Sequence, residues 1–83
     1  MKVAETMRKD LASTADLNEV KETNGPYYVS TGVNAPDKYF YFDVIKTSSQ
    51  DLIQVGYSII SDKLWKRTFI NNSWSPWKSV TFS

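Results

Sequence analysis

The sequence predicts a small, mainly β domain of the α+β class: a short N-terminal helix followed by a predominantly antiparallel β knob. Two observations predict it. The residue vocabulary changes at the breaker Asn24-Gly25-Pro26, beyond which tyrosine, phenylalanine, isoleucine, valine and threonine dominate, the residues that fit a pleated surface. The apolar runs beyond that point are joined by turns of only a few residues, which favours a meander over βαβ units.

Ahead of the breaker, Ala4, Met7 and Leu11 follow a 3-then-4 spacing with good helix formers between them, and Thr14 extends the seam. Residues 1–15 therefore read as an amphipathic helix. A helix this short is marginal alone, so its stripe must lie on the domain's own sheet or against sister copies in a stalk. Ser13, Thr14 and Asp16 supply caps, and Leu17 to Glu22 read as one further helical turn.

Residues 16–83 form the second unit. Strands are expected over 27–30, 39–47, 52–60, 64–70 and 77–82, with turns at Ser48-Ser49-Gln50-Asp51, Ser61-Asp62-Lys63 and Asn71-Asn72-Ser73. Pro76 stands at the entry to the last strand, where a missing amide hydrogen matters least. Alternation places Phe40, Phe42 and Val44 inward and Tyr39, Tyr41 and Asp43 outward. It separates Ile53, Val55, Tyr57 and Ile59 from Gln54, Gly56 and Ser58, and it groups Trp65, Arg67 and Phe69 on one face. A cation sharing a face with two aromatics suggests that Arg67 stacks on Trp74 and Trp77.

A chain of 83 residues buries only about 60 to 65% of the surface it exposes when unfolded. It has no cysteine or histidine, so neither disulfides nor a zinc site can brace it, and oligomerisation is the expected remedy. The longest apolar run, Tyr39-Phe40-Tyr41-Phe42, is far short of a membrane helix, and no export signal is visible, so no membrane insertion is expected.

Enzymatic chemistry is poorly provided for. Asp37, Asp51 and Asp62 fall at turns, where aspartates serve the local backbone, and no nucleophile elbow, phosphate loop or metal-ligand spacing occurs. No enzyme activity, cofactor or metal is expected. Lys63, Lys66, Arg67 and Lys78 have no acid after Asp62, but an isoelectric point near 7.9 falls short of a nucleic-acid footprint. A single-stranded nucleic-acid-binding domain stays only as a minor alternative. The outward Tyr39, Tyr41 and Asp43 suit either an oligomer contact or a sugar platform, since tyrosine rings stack on pyranose faces while carboxylates bond hydroxyls.

Trp74-Ser75-Pro76-Trp77 also occurs in thrombospondin type 1 repeats, but those depend on disulfides that this chain cannot make. A longer ordered set comprises Asp16-Leu17-Asn18, Gly25-Pro26-Tyr27-Tyr28-Val29, Asn34-Ala35-Pro36, Arg67-Thr68-Phe69, Asn71-Asn72 and Trp74-Ser75-Pro76-Trp77-Lys78. Over residues 16 to 82 this set resembles the pyocin-knob domain of bacteriophage tail fibres and receptor-binding baseplate proteins. The resemblance implies a β knob in a homotrimeric fibre on the virion tail, in which Arg67, Trp74 and Trp77, with Trp65 on the same face, are architectural. It implies attachment to a bacterial cell-surface glycan, a teichoic acid or a lipopolysaccharide sugar, with Tyr39, Tyr41 and Asp43 as candidate contacts. A spacer that trimerises the fibre while another domain recognises the host is the alternative. The chain is expected to be one module of a longer protein.

Overall fold

The computed structural model describes residues 8–81, and over them the chain is a mainly β domain of the α+β class with little helix. The strands are β1 (Lys9–Asp10), β2 (Tyr27–Val29), β3 (Phe40–Lys46), β4 (Leu52–Ser58), β5 (Lys63–Ile70), β6 (Ser73–Trp74) and β7 (Lys78–Thr81). A 3-10 turn over Leu17–Glu19 lies between β1 and β2. All belong to one sheet in the order β1-β2-β3-β4-β5-β6, and β7 pairs with the same edge of β5 that β6 uses. Every pairing among β2 to β7 is antiparallel, while β1 runs parallel to β2.

The helix expected over 1–15 is replaced, where the chain is described, by extended backbone and a turn. Ala4 and Met7 lie outside the described residues. Lys9 and Asp10 pair with Tyr27 and Tyr28, Lys9 N–H donates to the Pro26 carbonyl at 2.7 Å, and Leu11 N–H donates to the Tyr28 carbonyl at 2.8 Å. The free edge of β2 offers this segment a ladder, and Leu11 packs against the core from an extended backbone, so tertiary pairing overrides helical spacing. The turn expected after Leu17 does form, as the 3-10 element.

One face of the sheet is closed. Phe40, Phe42 and Val44 of β3 point into it as their alternation predicts, joined by Tyr27 and Val29 of β2, Leu52 of β4 and Leu17 from the 3-10 turn. The Phe40 and Phe42 rings stack with centroids 5.3 Å apart, and Trp77 meets Phe40 edge-on at 5.4 Å. On β4 the inward set is Leu52, Gln54, Gly56 and Ser58, which leaves the more apolar Ile53, Val55 and Tyr57 half-buried on the other face. Gly56 is required there: a side-chain carbon at this position would collide with the Tyr41 carbonyl and lie 2.8 Å from the Phe40 ring.

The last strand starts at Lys78 rather than 77, because β6 precedes it and a bulge separates the two. Trp74 pairs with Phe69 and Lys78 with Lys66, so Ser75, Pro76 and Trp77 stand opposite only Arg67 and Thr68. Ser75 holds the bulge. Its N–H donates to the Thr68 carbonyl at 2.8 Å, while its hydroxyl accepts from Thr68 N–H at 3.0 Å. In an unbroken strand, residues three apart face opposite ways; the extra residue turns Trp74 and Trp77 to the same face.

Candidate functional site

The bulge brings both indoles onto Arg67. The guanidinium carbon lies 3.8 Å from the Trp74 ring centroid and 4.5 Å from that of Trp77, and the side chain is only 5% exposed. The stacking expected from the shared face is therefore present, together with polar support that the sequence reading missed. Gln54 stands directly opposite Arg67 and accepts from its Nε at 2.9 Å. The same amide then donates at 2.8 Å to both the Leu17 and Val20 carbonyls, closing the C-terminal end of the 3-10 turn.

The other end of that turn is capped by Asp16, whose carboxylate accepts from Asn18 N–H at 2.9 Å and from Asn34 Nδ2 at 2.8 Å. Asn34 adopts a positive φ of 62°, and its carbonyl accepts from Trp77 Nε1 at 2.8 Å. Asp16, Asn34, Trp77, Arg67 and Gln54 thus form a closed circuit around the 3-10 turn. Burial pulls the Arg67 guanidinium down to about 10, with the Asp16 carboxylate acting in the opposite direction, so the group stays charged at neutral pH. Its Nη2 is buried without a hydrogen-bond partner and is satisfied by ring faces instead. Trp65 shares this face, with Nε1 also buried and unpaired.

The opposite face is open, and the strand register organises it into rows. Tyr28, Tyr41, Tyr57, Leu64 and Val80 are successive partners from β2 to β7 and make one row. Asp43, Val55, Lys66 and Lys78 make the next. Between them runs an open groove of about 260 Å³, walled by Tyr41, Tyr57 and Leu64 on one side and Pro26, Asp43 and Val55 on the other, with Phe42 and Gly56 beneath. Its walls are about 7 Å apart, two residues along a strand. At the β2 side, Arg8 lies 4.2 Å over the Tyr28 ring, donates to the Tyr41 hydroxyl at 2.8 Å and pairs with Asp10 at 2.7 Å. Further along the same wall, the Tyr57 hydroxyl donates to Asp62 at 2.6 Å.

Of the residues named from the sequence, Tyr41 and Asp43 meet in this groove, and Tyr39 does not line it. Tyr39 precedes β3 with a positive φ of 52°, its N–H donating to the Ser30 carbonyl at 2.9 Å. It lies two residues before Tyr41, so it stands on the far side of the tyrosine row from the groove. Tyr57, Leu64 and Pro26 were not named as site residues: β4 ends at Ser58 and β5 starts at Lys63, so Tyr57 pairs with Leu64 rather than with the partner that a turn at Ser61-Asp62-Lys63 would give it, and its place beside Tyr41 is set by the β3–β4 register. Among the described residues no cluster of acids could hold a metal ion, and no helix is long and apolar enough to cross a membrane. Comparisons with known protein families, curated proteins and solved structures find no match.

Proposed function

We propose that this domain is a non-catalytic knob module of a phage tail fibre or receptor-binding protein, working as a homotrimer at the virion tail and attaching to a glycan on the bacterial surface. The observation that carries this reading is the outer groove. It presents Tyr41 and Tyr57 beside the Asp43 carboxylate, an amphipathic wall facing a hydrogen-bond acceptor, which is how flat sugar rings are held. The ordered set of residues behind the pyocin-knob resemblance also converges in space, since Asp16, Asn34, Arg67, Trp74 and Trp77 belong to a single cluster around the buried Arg67. Residues scattered over the chain but meeting at one point make a chance likeness a poorer explanation of the pattern.

The test is binding of the purified domain to isolated bacterial cell walls and to a glycan array. Tyr41→Ala and Asp43→Asn should each weaken binding at least tenfold, while Tyr39→Ala, outside the groove, should leave it unchanged. No binding to any wall preparation or glycan, in a protein that sediments as a folded trimer, would favour the spacer module instead.

A further inference from the structure

Asn24-Gly25 lies in the loop that enters β2, immediately ahead of the Pro26 that lines the groove. Asn24 is exposed, and among the described residues nothing accepts from the Gly25 N–H. The Tyr27 hydroxyl is shared between the Glu22 carbonyl, at 2.8 Å, and the Asn24 side-chain carbonyl oxygen, Oδ1. Its ring is 6% exposed and stacks on Phe42 with centroids 5.3 Å apart, so this donor is held on a fixed support. An asparagine whose amide carbon is polarised by a hydrogen bond, followed by a residue with no side chain to hinder its nitrogen, is set up to react with its own backbone. The other asparagines are arranged differently. Asn34 is held by its bonds to Asp16 and Trp77, the Asn18 Oδ1 is buried, and Asn71 and Asn72 are each followed by a residue that carries a side chain.

We propose that Asn24-Gly25 is a self-modification site, at which the chain deamidates without enzyme or cofactor. The Gly25 nitrogen gives its proton to solvent base and attacks the Asn24 Cγ. A C–N bond forms, the bond from Cγ to the amide nitrogen breaks, and ammonia leaves carrying a proton returned from solvent. Water then opens the resulting succinimide at either carbonyl, giving aspartate or an isoaspartate whose main chain runs through Cβ and Cγ. The Tyr27 hydroxyl donates to the oxygen on which charge develops during the attack, and burial raises its pKa above the ordinary 10.0, so it keeps its proton at mildly alkaline pH. The isoaspartate adds a backbone carbon where there is no slack. A side-chain carbon on Gly25 would lie 2.8 Å from both Asp43 Oδ1 and the Tyr27 ring, and the Pro26 carbonyl accepts from Lys9 N–H at 2.7 Å. The product therefore displaces Pro26 at the groove wall and loosens β1 from β2, which makes the site a clock that alters this edge of the sheet as the protein ages. This holds whatever ligand the groove takes.

The experiment ages the purified protein at physiological temperature and mildly alkaline pH, and follows residue 24 by peptide mass mapping and by enzymatic methylation of isoaspartate. Its mass should change by the exchange of NH2 for OH, with isoaspartate among the products, at a rate no slower than in the same chain held unfolded in urea. Asn18 and Asn34 should stay intact, and Asn71 and Asn72 should convert severalfold more slowly. Tyr27→Phe keeps the ring and should slow conversion in the folded protein about twofold to tenfold, whereas in urea it should convert at the parent's rate. Asn24→Gln, whose longer side chain closes the ring poorly, should abolish conversion. In the isoaspartate fraction, separated by ion exchange, the Lys9 and Leu11 amides should exchange hydrogen faster than in the parent. Conversion in urea but not in the folded protein would overturn the site, because the fold would then be protecting it. Folded-state conversion indifferent to Tyr27→Phe would overturn the role of that hydroxyl, and unchanged exchange at Lys9 and Leu11 would overturn the coupling to the sheet edge.

Discussion

Arg67 shows how one side chain can do the work that disulfides do in other small domains. It fills the space between two indoles and satisfies Gln54, which in turn holds both carbonyls at the end of the 3-10 turn. Replacing Arg67 with methionine keeps much of the volume but strands the Gln54 oxygen, and should lower stability by about 2 to 4 kcal/mol in urea unfolding. Lysine keeps the charge and loses the planar stack and the Nε donor, so Arg67→Lys should still lose about 1 to 3 kcal/mol. At the far side of the circuit, bonds from Asn34 and from Asn18 N–H, with the Arg67 charge nearby, hold the Asp16 carboxyl below its ordinary value of 3.8. A lowered folded value means that the stabilisation is complete above the unfolded value and is lost as pH falls through the folded one. Stability should therefore drop below about pH 4, and Asp16→Asn should flatten part of that drop. Asp37 adds to the same drop, its carboxyl lowered chiefly by the neighbouring Ser61 hydroxyl and by the bond from Lys38 N–H at 2.8 Å.

At the scale of the element, the bulge between β6 and β7 decides which way the tryptophans face. Ser75 replaces a lost ladder bond with its own hydroxyl. Ser75→Ala should leave Thr68 N–H unpaired, lowering stability by about 1 kcal/mol and speeding exchange of that amide relative to its neighbours in β5. Strands β2 to β5 were legible in the sequence within a residue or two, because their turns and alternation agree with one another. The inward direction of Phe40, Phe42 and Val44 was legible for the same reason. The helix over 1–15 was misread because spacing reports only a local preference, and the unpaired edge of β2 lies far along the chain. On β4, alternation separated two faces without saying which is buried. The polar face turns inward because Arg67 needs Gln54, and the Phe40 ring needs the space that Gly56 leaves.

The whole molecule is one sheet with a closed face and an open one, and each half of the functional reading depends on that division. The closed face is knit by a circuit whose members, Asp16, Asn34, Gln54, Arg67 and Trp77, come from distant parts of the chain. The open face can then carry a groove on rigid strands, with Tyr41 and Asp43 fixed by the register of β3 rather than by loops. Tyr41 and Asp43 were legible as outward residues, whereas the groove itself was not. It arises from neighbours on β2, β4 and β5 whose proximity depends on pairing, and Tyr39 falls outside it because the groove lies on the other side of the Tyr41 row.

Hydrogen exchange at the Arg67 Nε–H, followed by NMR, tests most directly whether this circuit and the sheet form one cooperative unit. If they do, that proton exchanges as slowly as the amides of Val29 and Phe40, and its resonance carries the ring-current shift of two stacked indoles. Exchange as fast as that of Arg8 Nε–H, on the open face, would contradict the account and leave the closed face without its brace.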